Sequence, residues 1–343
     1  MVDTIVHKRD KQMTELSIGN ARADENEKGF GFLPVVGLPE QFWPPVVIIK
    51  GQKLSPMLTV TGGIHGCEYS SIEAAKQITE ELQPKDLLGT VVVCPIVNVA
   101  AFFARRAYVN PLDEKNLNRM FPGDPEGSAS QRLAYQVAQS LIQPADVYID
   151  LHGGDIIEAL VPFTIYPPGP TPGLEQESRQ LAQWFGIPNI IRTSLPGSTY
   201  DYAVRLGKPA ILTEAGQQGI LSQEAVTSLK QGVFLVLNRL GAFTSEAADK
   251  FIANFQSEAM PNQVVFHDID WLKSPASGIW YPAVSCGDFV QKGQTLGRVH
   301  NLFGELLTTI SAQNAGRVIY LVTSLAVNAG DSLGAIAYSP EEI

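Results

Sequence analysis

Cysteine is nearly absent. Cys67, Cys94 and Cys286 stand far apart in a chain of 343 residues, and no CxxC occurs. A disulfide framework and a cysteine-type zinc site are therefore not expected. Charge is thin as well: Asp, Glu, Lys and Arg make up 17% of the chain, against about a quarter in ordinary globular proteins. That argues against a disordered or coiled-coil chain. The charge present is mostly negative, with a formal net charge of -10, which would repel a nucleic-acid backbone. A local basic pocket for an acidic substrate stays compatible with it. No apolar run reaches the length of about 18 residues needed for a membrane span. Residues 1–11 are charged and lack an apolar stretch, so no signal peptide is predicted. These absences predict a cytoplasmic protein without nucleic-acid or membrane partners; homo-oligomerisation is left open. What the chain does have is core: 45% of its residues are hydrophobic, and its length exceeds what one compact domain usually holds.

The apolar residues are arranged as strands alternating with helices, which predicts an α/β sheet. Short apolar runs at 46–49, 57–61, 90–97, 146–151, 161–166 and 210–213 read as strands. Helical spacing follows at 68–82, 131–143, 176–185 and 223–240. Residues 1–28 are polar and show no strong periodicity. Residues 98–130 read as one long irregular loop, and loops of that length are usually functional.

Composition changes after Gly241. Residues 244–263 read as a helical connector ended by Pro261, and short strands with glycine turns follow. A weak repeat runs through them. Gly278-Ile-Trp, Gly287-Asp-Phe-Val and Leu296-Gly-Arg-Val are echoed by Gly316-Arg-Val, Gly330-Asp-Ser-Leu and Leu333-Gly-Ala-Ile. Two related halves suggest a small β-barrel or sandwich resembling the hammerhead-like domains of biotin and lipoyl carriers. A carrier needs an exposed lysine between its halves, and this chain has Asn301-Leu-Phe-Gly-Glu305 there. A structural cover or an assembly element is the expected role. The division predicted is residues 1–258 and residues 259–343.

Chemistry concentrates at strand ends. Residues 61–71 read T-G-G-I-H-G-C-E-Y-S-S, so a glycine turn carries His65 and the start of the next helix carries Glu68. Imidazole plus carboxylate suits catalytic zinc, which needs a third protein ligand and an open position. His152 ends another strand, before Gly153 and Gly154, and is the candidate third ligand; taken alone it reads as a capped loop histidine. Glu214 also ends a strand, and a parallel sheet would bring it to the same edge. There it could take a proton from water acidified by the metal, or simply answer a helix dipole. Arg106, Asn118 and Arg119 lie in the long loop, where arginine could bind a carboxylate bidentately or face a polarised carbonyl. Ordinary surface arginine is the plainer reading.

Four stretches taken together resemble the succinylglutamate desuccinylase/aspartoacylase family of the zinc carboxypeptidase superfamily. They are Gly63-Ile-His65-Gly-Cys-Glu68, Asn116-Leu-Asn118-Arg119, Asp150-Leu-His152-Gly-Gly and Thr213-Glu214-Ala-Gly216. The resemblance spans about residues 40–240, and a C-terminal β-domain is also typical. It implies a zinc-carboxypeptidase-like mixed sheet flanked by helices, with a smaller C-terminal all-β domain. It implies one zinc per chain, with His65, Glu68 and His152 as ligands. Glu214 would be the general base that later protonates the leaving amine. Arg106 would polarise the scissile carbonyl, and Asn118 and Arg119 would hold the substrate's carboxylate. Tyr200 and Arg205, which precede Glu214, are candidates for the pocket lining.

There are departures. Asn116 stands where many members have Asp, and Cys67 where an acidic residue is frequent. The activity implied is zinc-dependent hydrolysis of the amide of a small N-acyl amino acid. The rivals are a metallocarboxypeptidase acting on peptides and a non-catalytic binding or carrier protein that retains the fold.

Overall fold

The computed structural model describes residues 15–252 and 262–343. Four parallel strands form the centre of its sheet, in the order Thr90–Cys94, Met57–Gly62, Val147–His152, Ala210–Glu214. All four are buried almost throughout, as parallel strands covered on both faces should be. Alternation divides their side chains between two apolar layers. Val60, Val91, Val93 and Ile149 face a core shared with the helices Tyr69–Glu81, Pro172–Phe185 and Gln223–Arg239. Val92, Tyr148 and Leu212 face the other side, against Leu133, Leu141 and Tyr200.

The chain leaves the strand Met57–Gly62 in one direction to build Thr90–Cys94 and returns on its other side to build Val147–His152. That reversal is a topological switch point, and open α/β sheets bind ligands outside the carboxyl ends of the strands there. His65 follows one of the two flanking strands, and His152 ends the other. The sheet extends to thirteen strands, some antiparallel, giving the mixed sheet flanked by helices that the resemblance implied.

Two stretches differ from the sequence reading. Residues 15–28 of the polar segment without periodicity form the hairpin Glu15–Ile18/Ala21–Asp24 and the start of the strand Glu27–Phe32. Of the hairpin's buried positions, Ile18, Ala21 and Ala23, two are alanine, so alternation leaves little hydrophobic signal. Residues 98–130 are not one irregular loop. They hold the helix Val99–Ala104, a two-stranded ladder of Val109–Asn110 with Lys115–Asn116, and a tight turn at Leu117–Arg119. Each piece is too short to show a period.

The C-terminal region is all β, as expected, and has an apolar cluster of its own around Trp280, Leu296, Val299 and Leu333. The connector is helical over Ser245–Ile252; its remainder to Pro261, and the predicted boundary at 258/259, lie outside the described residues. Three C-terminal strands continue the central sheet. Val264–Lys273 pairs parallel with Asn189–Arg192, and Gly316–Val322 pairs antiparallel with Glu158–Leu160. The third, Ser332–Glu342, joins the first two. The sequence repeat has a structural counterpart. The short strand Phe289–Val290 of the first half pairs with Gly316–Val322 of the second, while Ala326–Val327 of the second pairs with Gly278–Pro282 of the first.

Helix packing beside the sheet generates a stability prediction. Gly232 lies inside the helix Gln223–Arg239, and a Cβ there would fall 2.3 Å from Cε1 of Phe185. Helix propensity alone favours alanine over glycine by about 1 kcal/mol. Overpacking of a filled core costs about 1–3 kcal/mol. Gly232→Ala is therefore expected to lower Tm by a few degrees in a thermal melt, and Phe185→Leu in the same chain to recover part of the loss. A raised Tm would show that the Phe185 ring moves aside freely.

Candidate metal and active site

The turn after Met57–Gly62 is shaped by two glycines. Gly63 has φ +63°, and at Gly66 a Cβ would fall 2.2 Å from the amide nitrogen of Phe102. The chain can turn sharply and lie against the Val99–Ala104 helix only without side chains at these positions. His65 sits on that turn, and Glu68 caps the Tyr69–Glu81 helix. Across the switch point, His152 ends its strand.

The three side chains converge. Glu68 Oε1 lies 2.6 Å from His65 Nδ1, and Glu68 Oε2 lies 2.9 Å from His152 Nδ1. The two imidazole centroids are 5.1 Å apart. One ligand atom from each of the three residues can be chosen so that all lie within 4.8 Å of one another. The outer ring nitrogens are occupied: His65 Nε2 is 3.1 Å from Asn116 Oδ1, and His152 Nε2 is 3.0 Å from Asp150 Oδ2. An oxygen acceptor behind each Nε2 puts the proton there and leaves Nδ1 as the inward lone pair, the arrangement metal-ligating histidines need. The donor set therefore fits a divalent metal ion. Asn116, where an aspartate is frequent, still reaches its histidine as an amide acceptor.

The electrostatics agree. Burial alone would lower the pKa of His65 and of His152, yet the Glu68 carboxylate outweighs it and raises both, His152 by far the more. Burial pushes Glu68 up, but His152 and His65 together hold it at about 2. The site is a buried anionic focus that draws in positive charge.

Glu214 stands beside His152 in register. Its Oε2 is buried without a hydrogen-bond partner among the described residues. Burial first, then repulsion from Glu68, raises its pKa well above the carboxylate range. Arg119 and Asn118 reach the same cavity, of about 730 Å³. Arg119 Nη1 donates to the Asn118 carbonyl at 2.7 Å. The Asn118 amide is fixed by a bond from the Thr199 amide nitrogen at 3.1 Å.

Three candidates are not brought to the cavity. Arg106 is exposed, with Nη2 2.5 Å from Glu114 Oε2, because the left-handed turn at Arg105 directs the chain outward. Arg205 is exposed and paired with Asp201 at 2.8 Å, one helical turn away. Tyr200 is fully buried behind the cavity wall, its hydroxyl accepting from the Leu195 amide at 3.0 Å.

Other residues were not singled out in the sequence. Asp150 is wholly buried and accepts from Thr61 Oγ1 at 2.7 Å and from Thr199 Oγ1. Strand alternation was the available signal, since Asp150 shares a face with His152. Tyr108 lines the cavity with its ring 6.3 Å from that of His65 and its backbone at φ +57°. The Asp155 carboxylate holds its amide at 2.8 Å. No pattern in the sequence announces that contact.

The family profile described as "Succinylglutamate desuccinylase/Aspartoacylase catalytic domain" matches residues 55–240. The chain is also 30% identical over 332 residues, 94% of each protein, to N-alpha-acetyl-L-2,4-diaminobutyric acid deacetylase of Halomonas elongata. It belongs to the succinylglutamate desuccinylase/aspartoacylase family. Among solved structures, a succinylglutamate desuccinylase/aspartoacylase from Rhodobacter sphaeroides is 25% identical with a TM-score of 0.77, covering 92% of this chain and 95% of that one. The product-bound ectoine utilization protein EutE (DoeB) from Ruegeria pomeroyi shares the fold at 24% identity and a TM-score of 0.78, over 91% and 95% of the two chains. His65, Glu68, His152 and Glu214 all fall inside the matched span. Among the described residues no helix is long and apolar enough to cross a membrane.

The cluster generates a metal prediction. Elemental analysis of the purified protein is expected to give one divalent metal per chain, and His152→Ala to lose it. Asp150→Asn keeps the shape behind His152 but weakens its acceptor, and should lower metal affinity by about 10–100-fold in a chelator competition. Equal metal in wild type and His152→Ala would remove His152 from the ligand set.

Proposed function

We propose that the chain hydrolyses the amide bond of a small N-acyl amino acid, using one zinc held by His65, Glu68 and His152. Two imidazoles and one carboxylate are a donor set of catalytic zinc sites. When bound there, zinc supplies a Lewis acid that acidifies water and polarises a carbonyl. The observation that carries the proposal is Glu214: a buried carboxylate oxygen without a partner, beside the ligand cluster, in a cavity that also holds a guanidinium.

Glu214 would accept a proton from the attacking water and return it to the leaving amine. Burial and repulsion from Glu68 raise its pKa; a divalent cation bound beside it would offset that repulsion and leave the carboxylate free to accept the proton. Arg119 would hold the substrate's carboxylate, with Asn118 keeping that segment in place. The exposed, paired Arg106 is given no part. The activity of the Halomonas relative supports the reaction class, since its name describes removal of an N-acetyl group from an amino acid. A peptide substrate is disfavoured by the cavity's outer wall. Trp271, Lys273, Tyr320 and Ser332 of the C-terminal region line the same cavity and so bound the room for an extended chain. A purely binding role gives no reason to keep an unpartnered carboxylate beside the metal cluster.

Two variants separate chemistry from binding. Glu214→Gln keeps shape but cannot accept a proton; kcat should fall by about 10²-fold or more while metal content and substrate binding persist. Arg119→Ala removes a charge-assisted hydrogen bond formed in ground and transition states alike. KM should rise with little change in kcat, for a loss of about one to two decades in kcat/KM. An amidated substrate should suffer the same loss with wild type and little further loss with Arg119→Ala. Full activity in Glu214→Gln would sink the proposed proton transfer.

A further inference from the structure

The cavity changes character across the sheet. In one row Glu214 pairs with His152 on one side and with Phe163 on the other. Two residues deeper, Leu212 pairs with Asp150 and with Ile165. From the metal cluster the surface therefore passes to the Glu214 carboxylate and then to an apolar wall. Phe163, Ile165 and Leu212 are buried and line the cavity, with Leu160 and Leu195 beside them. This wall adjoins the carboxylate clamp. Gly197, two residues after Leu195, packs on the Arg119 backbone, and its carbonyl accepts from the Phe121 amide at 2.9 Å. An amino acid whose carboxylate Arg119 held would place its side chain near this wall.

The carboxylates of the cavity are already engaged. Glu68 belongs to the metal cluster and Glu214 to the proton transfer. Glu158 accepts from the Asp155 amide at 2.8 Å and bonds the hydroxyls of Tyr108 and Tyr320. Asp331 accepts from the amide and the side chain of Asn328, at 2.7 and 3.1 Å. On the cationic side, Arg119 and Lys273 line the cavity without an ion-pair partner among the described residues. An ammonium seated on Phe163, Ile165 and Leu212 would give up its hydration to apolar carbons, which is costly. A second cavity, near Arg179 and Arg192, offers no alternative: those guanidiniums are paired with Glu341 and Glu175.

We infer that the amino acid released by this chain carries an apolar side chain, of leucine or methionine type, seated on Phe163, Ile165 and Leu212. That sets it apart from the Halomonas relative, whose diaminobutyric acid product carries a second amino group. The inference rests on the proposed hydrolysis of N-acyl amino acids and narrows it.

The test holds the acyl group constant as acetyl. On the zinc-loaded protein, kcat/KM is measured for N-acetyl-leucine, N-acetyl-methionine and N-acetyl-2,4-diaminobutyrate, and calorimetry compares binding of free leucine with that of 2,4-diaminobutyrate. Leucine and methionine derivatives are expected to win by about tenfold or more, and leucine to bind more tightly. Leu195→Asp, in a half-buried loop position, places an anion in the wall and should shift both readouts toward diaminobutyrate. Wild-type preference for the diaminobutyrate compounds, or no preference, overturns the inference. If no amide is hydrolysed yet leucine binds better, the hydrolysis proposal fails and the apolar wall stands.

Discussion

Glu68 is a buried anion held between two imidazoles, and the carboxyl edge of the sheet is organised around keeping it there. An isolated carboxylate in such a place would be protonated or expelled. Here one oxygen meets His65 at 2.6 Å, and the other meets His152 at 2.9 Å and the Gly153 amide at 3.2 Å. Those partners come from two separate places, a turn and a strand end, and meet Glu68 at a helix start. They meet because the two strands lie side by side at the switch point, with Gly62 opposite Leu151 in register. A slip of one residue would turn His152 to the opposite face of the sheet. Fold and site are thus one constraint: the sheet register fixes the distance between the histidines, and that distance lets one carboxylate serve both.

Much of this was legible in the sequence, because the site residues sit where secondary structure changes. Glu68, His152 and Glu214 each end a strand or begin a helix, and His65 sits on the turn between the two; apolar runs next to glycines mark such points. The buried parallel strands were legible for the same reason. What was not legible depended on long-range geometry. Nothing local distinguishes Arg106, which turns to Glu114, from Arg119, which lines the cavity at its exposed side; the left-handed backbone at Arg105, φ +51°, precedes the first. Tyr200 has the composition of a pocket residue but points into the core. The edge hairpin at 15–24 was hard to read because two of its three buried positions, Ala21 and Ala23 beside Ile18, are alanine.

The C-terminal region was read as a structural cover or an assembly element. Its strands belong to the central sheet on one flank and to a separate apolar cluster on the other. Because Val264–Lys273 is bonded along its length to Ser332–Glu342 and begins beside Asn189–Arg192, the outer wall of the cavity is tied to the same hydrogen-bonded frame as the metal cluster. A wall so tied presents Trp271 and Lys273 at a fixed height over the site. An independently tethered carrier domain would be free to swing and could not shape a cavity in this way. The exchanged strands of the repeat strengthen the argument, since each half of the region supplies a strand that the other half needs.

The same economy of scaffolding links metal and substrate. Thr199, the first residue of a helix, gives its hydroxyl to Asp150 and its amide to Asn118. Asp150 sets the ring of His152, and Asn118 precedes Arg119, so one residue orients a ligand of the metal and anchors the arm that would hold the substrate's carboxylate. Thr61 fixes Asp150 from the opposite side and is itself held by the Tyr148 hydroxyl at 2.6 Å. Every member of this network is buried, so each hydrogen bond lost would leave an unsatisfied polar group away from water. Such a network resists small displacements. Amide hydrolysis demands that resistance, because the carbonyl must reach the metal and Glu214 while its carboxylate stays on Arg119, and a shift of about 1 Å between those points can cost about two decades in rate.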